Sequence, residues 1–326
     1  MIGCVKPIPK ILALTAFLTL PGCASVMDLE DALAVVPYNI DNNGRIVVEA
    51  RVNGHGPYDF VLDTGASISA VFGPLRNELA LEPIPGRWVT VHGFVTSGKH
   101  SLLDIDRLDI GTETWAMPRI VSLPGETAAG AGIDGVLGVD FMRRYALGFF
   151  TGDRVVRLYS PDLIARRTYQ GWASVPFKSK SIGDSGAAFY YFDAELDGWK
   201  LTAVFDLGAG FNIINWPGVL SLGRTSRRLR KNTLLSGALE SSRVAARIEA
   251  DEVTTANVRW RDESFYVANV KIFETFMLSD KPAAILGAGL FTQRDFVIDF
   301  ARNRLLVKVA MDEVNLPGST GASPEN

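Results

Sequence analysis

The chain has 326 residues, with 33 Lys plus Arg against 36 Asp plus Glu, a formal charge of −3, 47% hydrophobic and 10% aromatic residues. This balance excludes a disordered polyelectrolyte and offers no whole-chain attraction for nucleic acid, and the length suits two domains better than one. Gly 31 and Pro 16 against 21% charged residues favour a turn-rich β protein over a helical bundle, and two Cys with three His are too few for a disulfide framework or a multi-ligand zinc site, so no metal and no cofactor is expected.

Residues 1–22 read as a signal peptide: Lys6 and Lys10, the apolar run ILALTAFLTL, then a small-residue exit. The run is too short to span a bilayer comfortably at about 1.5 Å per residue, which disfavours a retained span. Leu20-Pro21-Gly22-Cys23 resembles the lipobox of bacterial lipoproteins, with Pro21 where a small residue is usual. The resemblance implies lipidation of Cys23, with plain signal cleavage as the alternative. Processing there leaves one Cys and 31 basic against 36 acidic residues, net −5. The expected location is the bacterial cell envelope, lipid-anchored at the periplasmic face of the outer membrane, with residues 23–34 as a tether.

The chain then repeats itself. Val36-Pro37-Tyr38 recurs as Val175-Pro176-Phe177, each followed by an alternating strand pattern, Ile46 to Val52 and Phe189 to Leu196. Each strand meets a turn, at Asn53-Gly54-His55-Gly56 and at Asp197-Gly198, and re-enters an apolar strand that ends in Asp. The endings are Asp63-Thr64-Gly65-Ala66-Ser67 and Asp206-Leu207-Gly208-Ala209-Gly210. Further on, Gly135-Val136-Leu137-Gly138 is echoed by Ala284-Ile285-Leu286-Gly287, and Phe141 to Leu158 runs in register with Leu290 to Val307. We read an N-terminal lobe at 35–165 with Asp63, a C-terminal lobe at 166–313 with Asp206, and a disordered polar tail at 314–326.

Apolar-apolar-Asp-Thr-Gly-Ala-Ser, followed about 75 residues later by apolar-apolar-Gly, resembles the bacterial retropepsin-like and pepsin-like aspartic proteases. The resemblance implies an all-β, two-lobed fold with a pseudo-twofold axis, and an aspartic endopeptidase that uses Asp63 and Asp206 as its catalytic pair. Two facing carboxyls about 3 Å apart cannot both ionise easily; the ionised one takes a proton from water while the neutral one polarises the carbonyl. The active-site loops would be supported by Thr64, Gly65 and Gly208, the glycines letting the backbone turn sharply and the threonine hydroxyl crossing to the other lobe. Leu207 has no hydroxyl, so one half of that interlock is missing, at a cost of about 1 kcal/mol. Ala66 and Ala209 stand where pepsin-like enzymes place a hydroxyl donor, so the pair should titrate high, with an optimum at about pH 5 to 7.

Val89 to Gly98 alternates around a Gly and resembles the flap hairpin over the substrate, with His92 and Gly93 as its candidates. The second half shows no similar Gly-centred tip around Ser236 to Arg243. Gly183-Asp184-Ser185-Gly186 and Gly130 to Gly135 match serine-nucleophile and dinucleotide strings without their supporting context. The expected partner is a peptide or protein substrate, with a membrane reached only through the lipid anchor and the chain as a monomer. The competing reading is a catalytically impaired peptide-binding module of the same fold at the cell envelope.

Overall fold

A computed structural model describes residues 31–92, 97–124, 132–165, 171–182, 187–223, 233–236, 241–244 and 246–309. The signal peptide, Cys23, most of the tether, Gly93, Gly130, residues 183–186 and the tail at 314–326 lie outside them. The described fold is all-β with short helices, as an aspartic protease fold requires. Among the described residues no helix is long and apolar enough to cross a membrane.

Both repeats open on a hairpin. Strand Ile46–Val52 pairs with His55–Leu62, and Ala187–Leu196 with Trp199–Asp206, all antiparallel. Each loop has two residues, Asn53-Gly54 at φ 52° and 83°, and Asp197-Gly198 at φ 48° and 80°. Asn-Gly and Asp-Gly tolerate two successive positive φ values, and such turns carry the twist that antiparallel strands need. His55 and Gly56 already belong to the strand, so the first turn is shorter than its sequence suggests.

The Asp-bearing strands are then enclosed in the same way. His55–Leu62 runs parallel to Gly135–Leu137, which is antiparallel to Ala70–Phe72, itself parallel to Arg119–Leu123. In the second half Trp199–Asp206 runs parallel to Ala283–Gly287, which is antiparallel to Asn212–Ile214, itself parallel to Val258–Val267. Gly135–Leu137, Ala70–Phe72, Ala283–Gly287 and Asn212–Ile214 are buried at every residue, which is why they read as unbroken apolar runs rather than alternations.

The two halves also share one sheet. Its run across the two halves is Trp172–Pro176, Arg304–Lys308, Phe296–Asp299, Ala146–Phe150, Val155–Tyr159, Ala34–Ile40, a palindrome about the pair Gly148↔Val297. Phe149 and Phe296 stack at the centre with centroids 4.3 Å apart. The first strand begins at Ala34, which is buried and paired with Leu158, so the tether gives way to the fold one residue earlier than the sequence reading places it.

The flap-like segment forms a hairpin, Pro83–His92 with Ser97–Asp104 in antiparallel register, His92↔Ser97. Val89, Val91 and Leu102 on its arms pack against the same apolar cluster as Ala66 and Ile68, directly after Asp63. The second half has a hairpin too, Thr233–Ser236 with Ser241–Val244, where the sequence showed no comparable tip.

Candidate active site

Each Asp sits at the buried end of its strand. The Asp63 N–H donates to the Leu137 carbonyl at 3.0 Å, which fixes the strand end against the glycine motif. Beyond it, the N–H groups of Gly65 and Ala66 donate to Asp63 Oδ1 at 2.8 and 3.1 Å. In the second half the Gly208 N–H donates to Asp206 Oδ1 at 2.9 Å. The Asp206 carboxyl lies against Gly65 and the Asp63 carboxyl against Gly208, so the two loops meet carboxyl to carboxyl.

The glycines are required for a reason that the sequence reading missed. Neither has a positive φ, so the turn itself does not need them. A Cβ at Gly65 would stand 2.8 Å from Asp206 Oδ1, and one at Gly208 would stand 2.2 Å from Asp63 Cγ. Each glycine is the floor under the opposite carboxyl, and any side chain there would displace it.

Two hydroxyls from the first half tie the loops together. Thr64 is fully buried; its Oγ1 donates to the Phe205 carbonyl at 3.0 Å and accepts the Leu207 N–H at 2.9 Å. Leu207 thus enters the interlock through its backbone, while its side chain is fully buried in the main apolar core. Burying a leucine side chain stabilises by about 1.5 to 3 kcal/mol, more than the roughly 1 kcal/mol of a hydrogen bond, so packing offsets the missing hydroxyl. Ser67 makes a second crossing: its Oγ donates to the Ala188 carbonyl at 3.0 Å and accepts the Ala188 N–H at 2.9 Å. Ser67 has no hydroxyl at its repeat counterpart, which is Gly210. On that side the loop packs directly on the 41–45 turn, and a Cβ at Gly210 would meet the Asn43 carbonyl oxygen at 1.6 Å.

The electrostatics separate the two carboxyls. Burial raises the pKa of Asp63, but the hydrogen bond from Asp206, the N–H groups of Gly65 and Ala66, and the charge of Arg45 all work to keep it ionised. Asp206 is raised well above the ordinary carboxylate range by burial, then by the charge of Asp63 and the hydrogen bond to it. Both carboxyls are thus held above the ordinary range, Asp206 the more so, and the pair loses its two protons in separate steps. Arg45 was also missed by sequence; it is held by Asp41 at 2.6 Å in the turn that packs on Gly210. No sequence motif marks it, because its role follows from the approach of the two halves.

His92 closes its arm of the hairpin by backbone pairing with Ser97, while Gly93 lies outside the described residues. Among the described residues no group of three or more His, Cys, Asp or Glu is placed to hold a metal ion. An aspartyl protease family model matches residues 48–141, a span that holds Asp63, the hairpin and the first glycine motif. No curated protein matches the chain.

Proposed function

We propose that the two Asp loops form one catalytic site, that of an aspartic endopeptidase. Asp63, ionised, takes a proton from a water between the carboxyls as its oxygen attacks the peptide carbonyl carbon, and Asp206 gives its proton to the carbonyl oxygen. Collapse of the resulting diol breaks the C–N bond, the leaving nitrogen receives the proton that Asp63 collected, and the diol proton returns to the pair. The pair ends as it began, with one proton and no covalent intermediate. The observation that supports this reading is the close approach of the Asp63 and Asp206 carboxyls, each lying against the glycine of the opposite, equivalent loop. Thr64, Gly65 and Gly208 hold the geometry, and the hairpin of strands Pro83–His92 and Ser97–Asp104 closes over an extended peptide through main-chain hydrogen bonds. Both carboxyls come from one chain, so the working unit is a monomer.

The test is cleavage of a mixed peptide library between about pH 3 and pH 8. Wild type should cut, and Asp63→Asn or Asp206→Asn should each lose about a thousandfold or more. A wild type that binds peptides and cuts none would make the protein a peptide-binding module and refute the endopeptidase. For its location, the basic, apolar and Cys23 pattern supports export and lipid attachment at the envelope. Labelled palmitate should enter the wild type and not Cys23→Ser; equal incorporation in both would overturn the anchor.

A further inference from the structure

Two further carboxyl groups, one in each half and on different elements, hold equivalent polar links, and neither takes part in the chemistry above. In the first half Asp140, on the short helix Val139–Met142, accepts the Ser69 N–H at 3.0 and 2.9 Å, the Ser69 hydroxyl at 2.7 Å and the Phe141 N–H at 2.8 Å. The Ser69 Oγ in turn accepts the Gly138 N–H at 3.0 Å. In the second half Glu263 accepts Asn212 Nδ2 at 3.2 Å and Gln293 Nε2 at 2.7 Å, and Asn212 Oδ1 accepts the Gly287 N–H at 3.0 Å. Ser69 and Asn212 occupy equivalent places in the repeat, as do Gly138 and Gly287.

Each glycine is pressed onto the neighbouring Asp loop. A Cβ at Gly138 would stand 2.7 Å from the Ala66 carbonyl oxygen, and one at Gly287 2.4 Å from that of Ala209. The next N–H in each half, Val139 or Ala288, donates to that same oxygen at 2.8 or 2.7 Å. The N–H groups of Ala66 and Ala209 are in turn among those that favour ionised Asp63 and Asp206. Carboxyl, polar link, glycine, alanine and Asp thus follow one another in both halves.

We propose that Asp140 and Glu263 are positioning residues for the Asp63–Asp206 pair, each holding in place, through Ser69 or Asn212 and the glycine beside it, the loop that supplies N–H donors to one Asp. Every group that reaches either carboxyl is a donor, so the ionised form does the holding. Burial raises the pKa of both. Asp140 is steadied by Arg143 on its own turn. Glu263 is pushed further by Asp262 beside it and Glu249 on strand Ala246–Thr255, and it shares a pocket of about 370 Å³ with Arg247 and Arg261. Protonation of either holder slackens its loop, so acid weakens the site at a point away from the reacting groups.

The inference rests on the endopeptidase reading for its kinetic readout but not for its titration readout. With carbon-13 in the Asp and Glu carboxyls, the titration of the Asp63–Asp206 pair is followed by NMR in wild type, Asp140→Asn and Glu263→Gln. Each substitution turns an acceptor towards a donor, and the midpoint of the pair should rise by about half a pH unit or more. The kcat should fall about tenfold with KM within about twofold, and the wild-type to variant ratio should shrink towards one as the pH falls, because the wild-type holder is then protonated as well. Ser69→Ala, which removes the link without altering a charge, should raise the midpoint in the same way and serves if Asp140→Asn does not fold. Folded variants with an unchanged midpoint, or a kcat ratio constant across pH, would overturn the proposal. A moved midpoint in a protein that cuts no peptide would keep the positioning role and reject the endopeptidase.

Discussion

Replacing Thr64 by valine exchanges a hydroxyl for a methyl of nearly the same shape, so the packing around this fully buried side chain is kept while both crossing hydrogen bonds go. The Leu207 N–H has a single proton to donate and loses its acceptor in a site closed to water, at about 1 to 3 kcal/mol. The bond to the Phe205 carbonyl adds about 0.5 to 1.5 kcal/mol, less if that oxygen keeps its second lone pair occupied. We expect a loss of about 2 to 4 kcal/mol in urea unfolding, seen as a lower midpoint at unchanged slope. Peptide cleavage should fall with it, because a displacement of about 1 Å at the carboxyls costs on the order of a hundredfold. Thr64→Ser keeps the oxygen and should recover most of both quantities. A Thr64→Val protein within about 0.5 kcal/mol of wild type would refute the reasoning, since it would mean that the Thr64 crossing adds nothing to the shared sheet and the Ser67 crossing.

Other perturbations follow from the same geometry. Gly208→Ala should abolish cleavage and Gly65→Ala should reduce it less severely, because the new methyl carbons would meet the opposite carboxyl group at 2.2 and 2.8 Å respectively; equal activities would contradict that order. Asp206→Asn should stabilise the fold while removing activity. Burial and the charge of Asp63 raise the folded pKa of Asp206 above its unfolded value, so the wild type loses stability as the pH rises from the ordinary carboxylate range through that folded pKa. The melting-temperature advantage of the variant should therefore be absent in strong acid and grow towards neutrality, and a constant difference would remove burial as its cause. Ser67→Ala should destabilise the protein by about 1 to 3 kcal/mol through the orphaned Ala188 main chain, measured by the same unfolding series. The pH optimum for cleavage should lie above about pH 5, and a maximum below about pH 3 would contradict the raised carboxyls.

Much of the fold was legible because it is local. The Asn53-Gly54 and Asp197-Gly198 turns, the strands that flank them and the Asp at each strand end can be read from adjacent residues, and the repeat doubles every signal. The shared central sheet was not legible. Ala146–Phe150 and Phe296–Asp299 are buried on both faces and carry no alternation, and their pairing joins residues from opposite halves of the chain. Within the site, Asp63, Asp206 and Thr64 could be named from sequence, while Ser67, Arg45 and the true reason for Gly65 and Gly208 could not. Each of those depends on how closely the two halves approach, and distance between halves leaves no mark in one half alone.

The Thr64 crossing has a consequence for how such a site could diverge. In an assembly of two identical chains about a twofold axis, residue 64 would have to face its own copy, and every substitution would appear twice at the interface. Here Thr64 faces Leu207, 143 positions further along a single chain, so each side is free to change without the other. Ser67 opposite Ala188, with Gly210 against Asn43 at the mirrored place, shows the same freedom used a second time. Joining the halves covalently also takes concentration out of the equilibrium, so a dilute chain keeps both carboxyls together where a dissociable pair would part. An interface relieved of self-complementarity and of mass action can then give its two sides different surroundings, as Asp63 and Asp206 have.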